Sequence, residues 1–119
     1  MKTVTLQHDL IHVGNLILVN AQYPYRERIA RNTLLSVNAE NNEVMLDSNA
    51  ARLLSSLIDK LNGWGQIAVV SGWRSVQEQK VIYNQSLKDN GKAFTEKFVA
   101  LPGHSEHQTG LAIDLAMKQ

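Results

Sequence analysis

Residues 102–115 read Pro102-Gly103-His104-Ser105-Glu106-His107-Gln108-Thr109-Gly110-Leu111-Ala112-Ile113-Asp114-Leu115, and the last six alternate as a strand does. Leu111, Ile113 and Leu115 fall on one face of such a strand, and Gly110, Ala112 and Asp114 on the other. The apolar face belongs to a core. The opposite face carries two minimal side chains and one carboxylate, which leaves space above a sheet for a ligand or a metal. Just before it stands His107, with His104 one helical turn earlier and Ser105 between them. An imidazole and a carboxylate meeting at a strand entrance are common zinc ligands, but catalytic zinc takes three protein ligands and a water. A His and an Asp at this separation also occur together as solvated loop and strand-end groups. The pair alone leaves both readings open.

Working outward, Gln66–Val70 (QIAVV) predicts an interior strand. Ser75-Val76-Gln77-Glu78 has capping-box spacing and opens a helix through about Leu87, stopped by Asn90-Gly91. A polar connection follows as far as Pro102-Gly103. Further upstream, Asp47 or Ser48 caps a helix in which Leu53, Leu54, Leu57, Ile58 and Leu61 recur at helical spacing, with Gly63 at its C′ position. Asn41-Asn42 reads as a turn before a short strand at Val44–Leu46, and Leu16–Val19 is short enough for a buried strand. Tyr23-Pro24-Tyr25 is a turn or an extended piece, since the residue before proline avoids the helical region. Strands and helices are interspersed too irregularly for βαβ repeats. The expected fold is α+β, an antiparallel sheet with flanking helices.

The 119 residues make one domain, 1–119, with 44% hydrophobic and 19% charged residues, a soluble globular composition. Twelve Lys and Arg against eleven Asp and Glu leave a net charge of +1, which gives no electrostatic case for nucleic acid. The absence of cysteine removes disulfides, Cys-ligated zinc and thiol nucleophiles together. No apolar run approaches the ~20 residues that span a bilayer. The opening MKTVTLQHDL lacks the apolar stretch of a signal peptide. As given, the chain reads as cytoplasmic; an N-terminal anchor removed from it would make it cell-envelope-associated. His8 and His12 have the i,i+4 spacing of a helical chelate, but no third ligand accompanies them and they read as surface or partly packed histidines.

The wider string is more specific than the His and Asp. Ser105-x-His107-x-x-Gly110-x-Ala112-x-Asp114 resembles the signature of the zinc D,D-peptidases of the VanX and VanY type. Pro102–Gly110 is similar to the VanY version of this loop, and Ser71-Gly72-Trp73-Arg74-Ser75 resembles that family's strand end, followed by Gln77, Glu78 and Gln79. Gly14–Asn20 (GNLILVN) resembles the start of such domains. The resemblance runs over most of the chain. It implies a hedgehog/D,D-peptidase-like fold, with Zn2+ as cofactor and His107 and Asp114 among its ligands. It implies Arg74 as the catalytic guanidinium that stabilises the developing oxyanion. Ser105 and Gln79 are then candidates for hydrogen bonds to substrate, namely peptidoglycan precursor peptides ending in D-Ala-D-Ala. His104 becomes a pocket wall or a group that orients a ligand.

The same resemblance asks for a general base and a third ligand from a later E-x-x-W-H-like segment, and no such string occurs in these residues. Glu106, adjacent to His107 on an extended loop, would point away from its neighbour. The domain is therefore expected to be C-terminally truncated, with an unpaired sheet edge and exposed apolar surface that a second copy, the N-terminal segment or a partner chain would cover. Two functions follow. One is a zinc D-alanyl-D-alanine carboxypeptidase, this chain carrying the N-terminal part of the site. The other is a degenerate, non-catalytic domain that binds metal or wall peptide, for which the hedgehog amino-terminal domain is a precedent on a related fold. Carboxypeptidase against dipeptidase preference, and glycopeptide resistance against wall turnover, stay open.

Overall fold

Asp47 links the two halves of the structure. Its carboxylate accepts hydrogen bonds from the backbone N–H groups of Asn49 and Ala50, both at 3.1 Å, and so caps helix α1 (Ser48–Lys60). Its own N–H donates to the Gly110 carbonyl at 2.8 Å, tying the start of α1 to the loop singled out above. The computed structural model describes residues 3, 12–13, 16–26, 28–38 and 41–119. His8 lies outside them, and of His12 only the backbone is described.

The described strands form three antiparallel pairs, β1 (His12–Val13) with β2 (Leu16–Ile17), β3 (Leu34–Asn38) with β4 (Asn41–Asp47), and β5 (Ile67–Ser71) with β6 (Asp114–Met117). Two further helices, α2 (Val76–Asn90) and α3 (Lys92–Phe98), pack on each other. This is the expected α+β class. The core gathers Val37, Val44, Leu46, Ala51 and Val69, with Leu54, Trp64 and Ile113 packed against it. It therefore joins β3, β4, α1 and β5 on the side from which the site is hung.

Several sequence expectations change. The final strand does not begin at Gly110: that residue sits at φ +74°, closing a 3-10 turn at Glu106–Thr109, and pairing starts only at Asp114. A left-handed residue cannot sit in a regular ladder, so the alternation of residues 110–115 is not that of a strand. Of the three apolar residues assigned to the core face, only Ile113 packs against it, while Leu111 and Leu115 are 48% and 45% exposed. The stretch 92–98, read as a polar connection, is α3. Its hold on the fold is a buried contact, Ser86 Oγ to Thr95 Oγ1 at 2.7 Å, which an apolar-periodicity reading does not register.

On α1 the buried stripe is Ala51 and Ile58 with Leu54 partly buried, at i, i+7 and i+3; Leu53, Leu57 and Leu61 fall on an edge of the helix and are exposed. The left-handed residue after that helix is Asn62 (φ +53°), not Gly63. Gly63 is buried where an added Cβ would press on Ile58 and Ile67. Strand β2 stops at Ile17, and Asn41-Asn42 begin β4, Asn41 pairing with Asn38. Asn20 and Tyr23 exchange backbone hydrogen bonds, which places a turn at 20–23, just ahead of Pro24 and Tyr25, which are in no regular element.

Candidate active site

The site is built from two segments distant in sequence, the end of β5 with residues 71–75 and the loop 100–114. Strand β5 approaches β4 so closely at its end that Trp73 N–H donates to the Met45 carbonyl at 2.6 Å. A Cβ on Gly72 would fall well inside van der Waals contact of that same carbonyl oxygen, so glycine is required here by close approach. Between Val69 and Ser71 the ladder with β6 carries a bulge: Val69 pairs with Leu115, and Ser71 with Asp114. The extra residue, Val70, brings Ser71 opposite Asp114 and places their side chains on one face.

In the loop, Ser105 caps the 3-10 turn, its Oγ accepting from the His107 N–H at 3.2 Å, and the Gln108 side chain returns to accept from the Ser105 N–H at 3.1 Å. This turn orients His107, which is 8% exposed. Its Nδ1 lies 2.7 Å from the Gly72 carbonyl. A carbonyl only accepts, so a proton resides on Nδ1, and in the neutral ring the lone pair is then on Nε2. Nε2 points at Asp114, 3.3 Å from Oδ2. That separation is long for a charge-assisted hydrogen bond, which prefers about 2.7–2.9 Å. It matches the edge of a tetrahedron around a metal with N and O ligands at ordinary zinc distances, about 3.4 Å. The donor set, a neutral imidazole held by a carbonyl and a half-exposed carboxylate, fits a zinc ion.

Arg74 stands beside this pair. Its Nη2 donates to Ser71 Oγ at 2.9 Å and its Nη1 to Gln79 Oε1 at 2.8 Å, while its backbone N–H donates to the His107 carbonyl at 3.0 Å. Because Ser71 shares a face with Asp114, the guanidinium is anchored on the face that bears the carboxylate. Gln79, expected to meet substrate, is 2% exposed with both ends of its amide engaged, Oε1 by Arg74 and Nε2 by the Ala100 carbonyl at 2.8 Å. Both ends of its amide are thus spent on protein partners, Arg74 and Ala100. Ser105 is 3% exposed and its oxygen is taken up by the cap. His104 lines a groove of about 560 Å³ with Tyr83, Phe98, Leu101 and Glu106, and its Nδ1 lies 2.9 Å from the Asn20 carbonyl. Glu106 lies on the 3-10 turn and not on an extended segment. A smaller cleft of about 220 Å³ borders Arg74, between Tyr25, Arg28, Trp73 and Gln108.

Among the described residues no group of three or more His, Asp and Glu converges to hold a metal; His107 and Asp114 are a pair. Sequence reasoning missed Ser71, Gly72 and Gln108. Their signal was present in the quoted strings, a glycine against a bulky aromatic at a strand end and a Gln three residues after a capping Ser, but none of them carries reactive chemistry.

Residues 43–119 match the family described as VanY, D-alanyl-D-alanine carboxypeptidase. The chain belongs to the VanY family. It is 36% identical over 107 residues to the bifunctional D-Ala-D-Ala dipeptidase and D-Ala-D-Ala carboxypeptidase VanXYC of Enterococcus gallinarum, a match covering 90% of this chain and 56% of that one. Its structure is similar to that of the vancomycin-resistance D,D-dipeptidase VanXYg in complex with a D-Ala-D-Ala phosphinate analog, with a TM-score of 0.81 and 45% identity over 89% of this chain and 42% of that one. It also resembles the D,D-pentapeptidase VanY of a VanB-type cassette in complex with Zn(II), with a TM-score of 0.63 and 30% identity over 85% and 60% of the two chains. The chain thus spans about half the length of these relatives. No helix among its described residues is long and apolar enough to cross a membrane.

Proposed function

We propose that the chain carries part of the active site of a zinc-dependent D-alanyl-D-alanine carboxypeptidase acting on peptidoglycan precursor peptides that end in D-Ala-D-Ala. The observation that carries this reading is the convergence of His107 Nε2 and Asp114 Oδ2 at 3.3 Å, with the imidazole proton committed to Gly72 on the far side of the ring. His107 and Asp114 would hold Zn2+, which when bound supplies Lewis-acid polarisation of a scissile carbonyl and acidification of water. Gly72 fixes the ring and its tautomer. Arg74, held by Ser71 and Gln79, presents a fixed positive charge beside the pair, where it stabilises negative charge developing on the carbonyl oxygen. The Ser105 hydroxyl, whose oxygen already accepts from His107, keeps its hydrogen for donation to a substrate carboxylate or amide. Among the described residues no general base and no third metal ligand joins this pair, and the reaction requires both.

The test is release of D-Ala from a peptide ending in D-Ala-D-Ala, by the whole protein, with and without a chelator. The expected result is turnover that a chelator abolishes and added zinc restores. Chelator-insensitive turnover would overturn the mechanism. Zinc binding with no turnover would favour the non-catalytic domain.

A further inference from the structure

We infer that Gln108 is a positioning residue, whose side-chain amide locks Arg74 to the turn that bears His107. Four observations support this. Gln108 is 3% exposed. Its Oε1 accepts from the Ser105 N–H at 3.1 Å, within its own turn. Its Nε2 crosses to a segment 34 residues away and donates to the Arg74 carbonyl at 3.1 Å. On the other side of the same residue, the Arg74 N–H donates to the His107 carbonyl at 3.0 Å. The Arg74 peptide is therefore spliced to the turn by two hydrogen bonds in opposite directions, as in a single β-bridge with one partner replaced by a side-chain amide.

The chemistry requires an amide at this position. Both ends of the group are used, one as acceptor and one as donor, on a side chain only 3% exposed, where an unmade bond carries a desolvation penalty. A carboxylate would keep the Ser105 bond and set a second acceptor against the Arg74 carbonyl. A thioether of similar length would make neither bond. Without the Gln108 amide, the guanidinium still reaches Ser71 and Gln79, but the Arg74 backbone is tied to the turn only by its N–H to the His107 carbonyl, a single bond that opens more readily. Sub-ångström placement of a charge beside a reacting carbonyl is what such a splice would secure. The catalytic importance of that placement rests on the reading given under Proposed function. The splice itself does not.

The experiment compares the whole protein with its Gln108→Glu and Gln108→Met variants by amide hydrogen exchange, the NMR signals of the Arg74 guanidinium, and zinc affinity measured by chelator competition. In Gln108→Glu the Ser105 amide keeps its protection while the Arg74 amide exchanges at least tenfold faster. In Gln108→Met both amides exchange faster. In both variants the Arg74 Nη signals broaden or average and zinc affinity falls several-fold, while the β3–β4 amides of Leu35 and Leu46 are unchanged. Unchanged Arg74 exchange in a folded variant would overturn the inference. So would loss of protection spread equally through β3 and β4, which would make Gln108 a general structural residue. If the whole protein binds no zinc, the metal reading fails, and the exchange comparison still decides the role of Gln108.

Discussion

His107 Nε2 faces Asp114 Oδ2 at 3.3 Å although neither residue is in a regular element with the other: one is in a 3-10 turn, the other opens β6. Their meeting depends on the left-handed Gly110 between them, which turns the chain from the loop into the strand. Asp114→Asn keeps the shape of the side chain and removes the charge that a cation needs. Zinc affinity, measured by chelator competition, is expected to fall by more than the roughly 10- to 100-fold that follows loss of a group merely orienting a ligand. Stability in the presence of a chelator should change little, because the Asp114 side chain is 58% exposed.

Gly72→Ala tests the close approach of β5 to β4. The added methyl meets the Met45 carbonyl oxygen, which is backbone and cannot swing aside. Separating the strands strains the Trp73–Met45 hydrogen bond and withdraws the carbonyl that holds the His107 ring. The expected cost is about 1–3 kcal/mol in urea denaturation, typical of overpacking, together with weaker zinc binding. An alanine variant as stable as the parent would show that the two backbones can separate freely.

Arg74→Lys keeps the charge and loses the fork. The guanidinium serves Ser71 and Gln79 at once through Nη2 and Nη1, and one ammonium cannot span both while also facing the site. Turnover of a D-Ala-D-Ala peptide should drop at least tenfold in kcat. The Ser71 and Gln79 side chains should be left more mobile, as read by NMR.

How far the site was legible in the sequence depended on what kind of signal each residue gives. His107, Asp114 and Arg74 stand out because their side chains carry chemistry in recognisable strings, and the structure brings the three to one region. Their support was hidden. Gly72 acts by what it lacks, Ser71 acts through a bulge that shifts the register by one, and Gln79 and Gln108 act through buried amides whose partners lie 21 and 34 residues away. The strand at 110–115 misled for a related reason. Alternation of residue types records which side chains face inward only where the backbone is extended, and the left-handed Gly110 breaks that condition while leaving the pattern intact.

Helix α3 was missed because its anchor is polar. Thr95 is fully buried and bonds Ser86 on α2 at 2.7 Å. Thr95→Val preserves shape and leaves the Ser86 hydroxyl with only a 3.4 Å contact from Asn90 Nδ2. Thermal or urea unfolding should show a loss of about 1–3 kcal/mol, the desolvation penalty of a buried hydroxyl without a good partner. Zinc affinity should be unaffected, since the side-chain hydrogen bonds of both residues stay within residues 86–95.

Gln79 offers the sharpest choice between the expectation from sequence and the geometry. As a substrate-binding residue, its loss would raise KM with kcat nearly unchanged. As the acceptor that fixes Arg74 Nη1 and the donor that holds the Ala100 carbonyl, it acts before substrate arrives. Gln79→Met removes both bonds in a site that is 2% exposed, and should cost about 1–3 kcal/mol in stability along with activity. Gln79→Glu is more telling. Its carboxylate still accepts from Arg74, now as an ion pair, but it neutralises the charge that Arg74 presents to a developing oxyanion. The expected result is a folded variant in which kcat for D-Ala release falls at least tenfold and KM moves less than threefold. A rise in KM alone would return Gln79 to the substrate side of the cleft.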